Sequence, residues 1–254
     1  MKMKKSILLW AMIGVTLLLT SCLDEGSRNY DETSVVYMST DITTGRVYGR
    51  TLTSKIITSA NMQLMLPGTF QFLRYSWTEE YGTTPITLGT TSTVVIQADN
   101  VAIVGEPMEI GRVSLRMNQT PPQTETPDKF VAIDSPVYAE DKIYLGDHWL
   151  FQYAYEAKKG EDADVNFYYE GNEGALGNEA TIIIDLTITG EPEAGSSTTA
   201  KTDIVALNMS QLRSLYESSG TTDTKELKVT FKYYRKGGDQ LVSLGTYTMK
   251  INQD

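Results

Sequence analysis

The second half of the chain is written in alternation. In "WLFQYAYE" (149–156), Trp149, Phe151, Tyr153 and Tyr155 fall on one side, with Gln152, Ala154 and Glu156 on the other. A period of two predicts a strand with one dry face. "TIIIDLTIT" (181–189) sets Ile182, Ile184, Leu186 and Ile188 against Ile183, Asp185 and Thr187. "ELKVTFKYY" (226–234) groups Leu227, Val229, Phe231 and Tyr233 and leaves Lys228, Thr230 and Lys232 outward. "GTYTMKI" (245–251) adds Tyr247, Met249 and Ile251 to the inner set. Serial one-sided strands predict antiparallel sheets packed as a sandwich. One segment breaks the period. "LNMSQLRSLYESSG" (207–220) places Met209, Leu212, Leu215 and Tyr216 on one face of a short helix, with Asn208 or Ser210 to cap its start and Gly220 to end it.

The first half has shorter runs rich in Val, Ile, Thr and Tyr. "SVVYMST" and "GRVYGRTL" flank "DITTG", which predicts a hairpin, and "NMQLMLPGTFQFLRY", "STVVIQAD" and "GRVSLRM" continue as strands. Residues 118–128, "NQTPPQTETPD", carry three prolines. No central strand tolerates them, so the stretch predicts a linker. The expected plan is a β domain over 34–117, a Pro/Thr linker over 118–128 and a β-sandwich domain over 129–254.

The N-terminus has another character. Lys2, Lys4 and Lys5 precede an apolar run from Ile7 to Thr20, and no acid appears before Cys22. This is the layout of a secretory signal over residues 1–21. The apolar run is 14 residues long, short of the roughly 20 that a spanning helix needs. Leu19-Thr20-Ser21-Cys22 resembles the bacterial lipobox, which implies lipid on the Cys22 thiol and cleavage just before it. A thiol used as an anchor serves neither a disulfide nor catalysis, which accounts for a chain with one cysteine. Residues 22–33 then read as a lipidated flexible tether. Asp24 and Glu25 resemble an outer-membrane export signal, and an acidic solvated tether is the alternative. The expected location is the outer membrane, lipid-anchored, on its periplasmic or cell-surface face.

Removal of residues 1–21 takes three lysines and no acid, and the formal charge goes from -10 to -13. Such a chain is repelled by phosphate backbones, so a nucleic-acid partner is not expected.

A lipobox cysteine followed by acids, a small β domain, and then a sandwich with the "LNMSQLRSLY" helix and the closing strand "KELKVTFKYY" resembles the NigD-like bacterial lipoproteins. The resemblance implies an all-β chain: a small OB-like β-barrel followed by an immunoglobulin-like β-sandwich with one short helix. It implies no catalytic residues.

The search for chemistry gives little. His148 is the one histidine, and Asp147 beside it would face the other way on a strand. One histidine and no spare cysteine do not build a usual zinc site. Asp162, Asp164, Asn166 and Glu173 match EF-hand spacing, but Phe167 stands where the loop needs glycine and the stretch reads as strand. Glu79-Glu80 lacks a placed partner for glycosidase work. "GNEGALGNEA" lacks the Lys-Ser/Thr of a phosphate loop, and Asn118 and Asn208 head sequons that a bacterial lipoprotein would not normally use. No catalytic residue, metal or cofactor is expected.

Aromatic pairs remain. Tyr168 is out of phase with Phe167 and Tyr169, and Tyr234 with Tyr233. A strand with one dry face should expose one of each pair, so Tyr168 and Tyr234 are the expected binding surface. The functional expectation is a lipid-anchored, non-catalytic binding or accessory module for a protein or glycan partner. The alternatives are a fimbrillin-like structural subunit and, last, a hydrolase.

Overall fold

The computed structural model describes residues 29–88, 94–122, 126–139, 144–171, 177–218 and 226–251. The signal segment, Cys22, residues 23–28 of the tether, Glu173 and Gly220 lie outside these residues. The chain divides into two compact units, Met1–Ile110 and Gly111–Asp254. The structure is all-β with one α-helix among the described residues.

The first unit is built from β1 (Tyr30–Thr40), β2 (Val47–Thr51), β3 (Ile56–Thr58), β4 (Phe70–Trp77), β5 (Thr83–Leu88), β6 (Val94–Asn100) and β7 (Ala102–Ser114). The order is β5-β6-β3-β2-β1-β4-β7. Among the described residues β5 and β7 do not pair, so this ladder does not close the small barrel that the family resemblance implies. The "DITTG" hairpin forms as expected between β1 and β2. Asp41 organises it: its side chain accepts from the amides of Thr43, Thr44 and Thr87. Three amide donors hold its carboxyl below the usual carboxylate range, although burial opposes them. Val36, Met38, Ile57, Met62, Leu73 and Tyr75 form the core. Gly49 is required on β2, because a Cβ there would collide with the Val36 side chain.

The second unit contains β8 (Ala132–Ile133), β9 (His148–Ala157), β10 (Glu161–Glu170), β11 (Glu179–Gly190), β12 (Thr199–Asn208), α1 (Ser210–Ser218), β13 (Glu226–Tyr234) and β14 (Leu241–Lys250). Its two sheets are ordered β7-β12-β9-β8, where β7 contributes its last residues, and β10-β11-β13-β14. The alternating residues meet between the sheets as expected. Phe151 packs on Phe167 and Phe231 at centroid distances of 5.1 and 4.9 Å, and Trp149 on Phe231 at 5.6 Å. Met209, Leu212 and Tyr216 bring α1 onto the same core. Asn208 caps the helix, its Oδ1 accepting from Ser210 N at 2.9 Å. Two pairings are parallel, β7 with β12 and β11 with β13.

The division at Ile110/Gly111 differs from the expected linker over 118–128. β7 is 13 residues long, and its last four, Gly111 to Ser114, pair with β12. The next residue but one, Arg116, pairs with β10. Asp128 is also tied to the sandwich, its Oδ2 accepting from Ile188 N at 2.7 Å. β7 ends at Ser114, before the first proline of the stretch at 121.

Candidate functional site

The first feature with the geometry of a site begins at Arg116. Its amide donates to Phe167 O at 2.8 Å, and its carbonyl accepts from Tyr169 N at 3.0 Å. This short parallel bridge lays residues 115–117 along the free edge of β10. The guanidinium then folds across the outer face of the strand. Nη2 donates to Asn166 Oδ1 at 2.5 Å, and Nη1 lies 3.3 Å from Tyr168 OH and 3.2 Å from Gln119 Oε1. The Arg116 Cζ sits 5.2 Å from the Tyr168 ring centroid, a cation–π contact. Arg116 is thus held in one position by a ring and three acceptors.

Beside it opens a cleft of about 500 Å³ within the second unit. Its wall comes from Val113 to Gln119, Asn166 and, from the first turn of α1, Gln211. Three of the lining residues, Val113, Leu115 and Met117, are apolar; the others are Ser, Asn, Gln and the fixed Arg116.

The structure corrects one half of the aromatic expectation. Tyr168 is not exposed: 3% of its surface reaches solvent. It does lie on the outer face, opposite Phe167, but Arg116 covers it. Burial pushes its hydroxyl pKa up while the guanidinium pulls it down. Tyr234 is half-buried at the end of β13. Tyr168 pairs with Ile183, and Ile183 with Lys232, two residues short of Tyr234. With strands ~4.8 Å apart and ~3.3 Å per residue, the tyrosines are about 12 Å apart on one face. They do not form a joint platform.

Asp185 lies on the same face, across the ladder from Asn166. It is 8% exposed. Burial raises its pKa, Asp128 and Asp164 push it the same way, and Arg116 opposes them. Asp162, Asp164 and Asn166 of the EF-hand pattern stand on strand β10, with Asn166 Nδ2 donating to Asp164 Oδ2 at 3.3 Å. Among the described residues no group of three acids, histidines or cysteines is placed to hold a metal.

His148 is buried at the start of β9, with Nδ1 3.1 Å from Leu145 O. Burial lowers its pKa. Asp147 does not share a strand with it: it stands in the turn before β9, with φ 61°, and forms a buried ion pair with Arg213 of α1. Glu79 and Glu80 lie exposed on a 3-10 turn.

In the first unit Tyr30, Glu32, Lys55, Tyr75 and Asp99 gather at one end of β1. Lys55 Nζ is 2.6 Å from Glu32 Oε2 and 3.9 Å from the Tyr30 ring centroid, and Tyr30 OH donates to Asp99 Oδ2 at 2.9 Å. Burial and these carboxylates raise the Tyr30 and Tyr75 pKa values. The contacts are mutual and bind β1 to β3 and β6.

Neither a family model nor a curated protein matches the sequence. Solved structures do share the fold. An uncharacterized protein from Parabacteroides merdae aligns over 87% of this chain and 100% of its own, with a TM-score of 0.55 at 9% identity. A putative lipoprotein from Bacteroides fragilis aligns over 89% of this chain and 98% of its own, with a TM-score of 0.50 at 12% identity. A NigD-like immunity protein from Bacteroides caccae aligns over 87% and 97% with a TM-score of 0.46 at 10% identity, too distant to carry an argument. At these identities the likeness is one of fold.

Proposed function

We infer that this chain is a lipid-anchored envelope lipoprotein whose second unit binds a ligand in the Arg116 cleft, without catalysis. The observation that carries the reading is Arg116 itself. A guanidinium fixed by Tyr168, Asn166 and Gln119 gives the 500 Å³ cleft a wall that is already set before a ligand arrives, and preorganisation lowers the ordering cost of binding. The lipobox-like Leu19-Thr20-Ser21-Cys22 supports the anchor, and the fold shared with the Bacteroides fragilis protein agrees with it. The NigD-like family, the OB-like and immunoglobulin-like descriptions of the two units, and the outer membrane as the location belong to the same proposal. Two or more acyl chains hold a protein stably at a membrane, whereas one holds it marginally.

Fractionation tests the anchor. The parent chain should sediment with membranes and incorporate labelled palmitate, and Cys22→Ser should do neither. A Cys22→Ser variant as membrane-bound as the parent would remove the anchor from the reading.

A further inference from the structure

We propose that the Arg116 cleft takes a neutral, hydroxyl-rich saccharide. The inference rests on the reading of this cleft as a ligand site and narrows its occupant.

Drug-like pockets are mostly apolar with a few polar groups. This one is more polar: six of its nine described lining residues are polar. Four of the six are amides, at positions 118, 119, 166 and 211. A primary amide offers two donors and an acceptor in one plane, which matches the paired donor and acceptor character of neighbouring sugar hydroxyls. Asn118 and Gln211 are exposed, so their amides can reach a ligand in the cleft.

Charge narrows the choice. Among the described residues no carboxylate or ammonium lines the cleft. The single cation among the described lining residues, Arg116, already faces Asn166, Gln119 and Tyr168, with Asp185 close enough to act on it. The whole chain carries -10. An anionic ligand would meet a spent cation and a repelling field. Among the described residues no aromatic ring lines the cleft either, so a nucleobase or other flat aromatic ligand finds no surface there to stack on. A hydroxyl-rich neutral chain needs neither. Val113 and Met117, half-buried at the wall, can pack against sugar C–H faces, whereas Leu115 belongs to the core.

The test uses the full chain in detergent and measures binding to neutral polysaccharides (mannan, dextran, xyloglucan), acidic ones (polygalacturonate, heparin) and unfolded casein peptides. Binding of at least one neutral polymer is expected. It should weaken at least tenfold in the double variant Asn118→Ala/Gln211→Ala, whose melting temperature should match the parent's. The affinity should stay flat between 50 and 300 mM salt, because no net charge is being screened. Cleft-dependent binding of only acidic polymers or peptides would overturn the saccharide and leave the ligand site standing. Binding to nothing in the panel, or binding that ignores the double variant, would overturn both.

Discussion

Arg213 and Asp147 form a two-pronged ion pair inside the second unit, with Nε to Oδ2 at 2.9 Å and Nη2 to Oδ1 at 2.8 Å. Their side chains are 3% and 7% exposed. Arg213 also donates to Lys250 O, and Asp147 O accepts from Met209 N. One pair therefore links α1, the loop before β9 and the end of β14. Removing one partner strands a buried charge, so Arg213→Met and Asp147→Asn should each cost about 3–5 kcal/mol in denaturant unfolding. The double variant should lose much less than the sum of the two. Additive losses would show that the charges are solvated.

The tyrosines separate by burial. Tyr168→Ala should lose about 2–3 kcal/mol, because a covered ring and its Arg116 contact disappear. Tyr234→Ala should lose less than about 1 kcal/mol. Phe231→Ala opens a cavity at a side chain with no solvent exposure and should lose about 3–5 kcal/mol. Thermal melts of the three variants give the order directly, and Tyr168→Ala behaving like Tyr234→Ala would contradict the buried outer face.

Those two tyrosines mark the boundary of what the sequence could say. The inner faces of β9, β11 and β13 were legible because every second residue is apolar and a strand has only two sides. The sequence shows which side of β10 Tyr168 occupies, but not what lies over that side. Its cover, Arg116, is 52 residues away. Asp147 and Arg213 are 66 apart, and neither residue's neighbourhood hints at the other. The described residues of 118–128 hold no strand, as prolines suggest, yet Asp128 bonds to the sandwich at Ile188, and Asn118 and Gln119 border the cleft. The cleft had no motif to find. Its amides are common surface residues until the fold brings 118, 166 and 211 together.

His148 should report on pH. Burial lowers its folded pKa, so the native state favours the neutral ring. The unfolded chain takes up the proton first as pH falls through about 6.5, and stability is lost there; above that value the contribution is fully present. Between pH 7 and pH 5 the parent should lose more stability than His148→Asn, which keeps a polar atom near the Nδ1 position. Parallel pH profiles would mean that the ring titrates freely.

Asp185 has the opposite sign. Its folded pKa is raised, so its contribution to stability is greatest in acid and declines as pH rises through the folded value. At pH 7 the buried charge is a burden. Asp185→Asn should raise the denaturation midpoint at pH 7, and the gain should vanish towards pH 3. A loss at pH 7 would show that Arg116 more than offsets the burial.

The most direct measurement places a photoreactive side chain at Asn118, on the cleft, and at Ser243, exposed on β14 at the opposite edge of the same sheet. Both variants are irradiated in intact membranes carrying the full chain. The account predicts a discrete adduct from position 118 that position 243 does not give, and its loss when Gln211→Trp fills the cleft. Equal labelling at both positions, or a position-118 adduct that survives Gln211→Trp, would contradict a ligand site at Arg116.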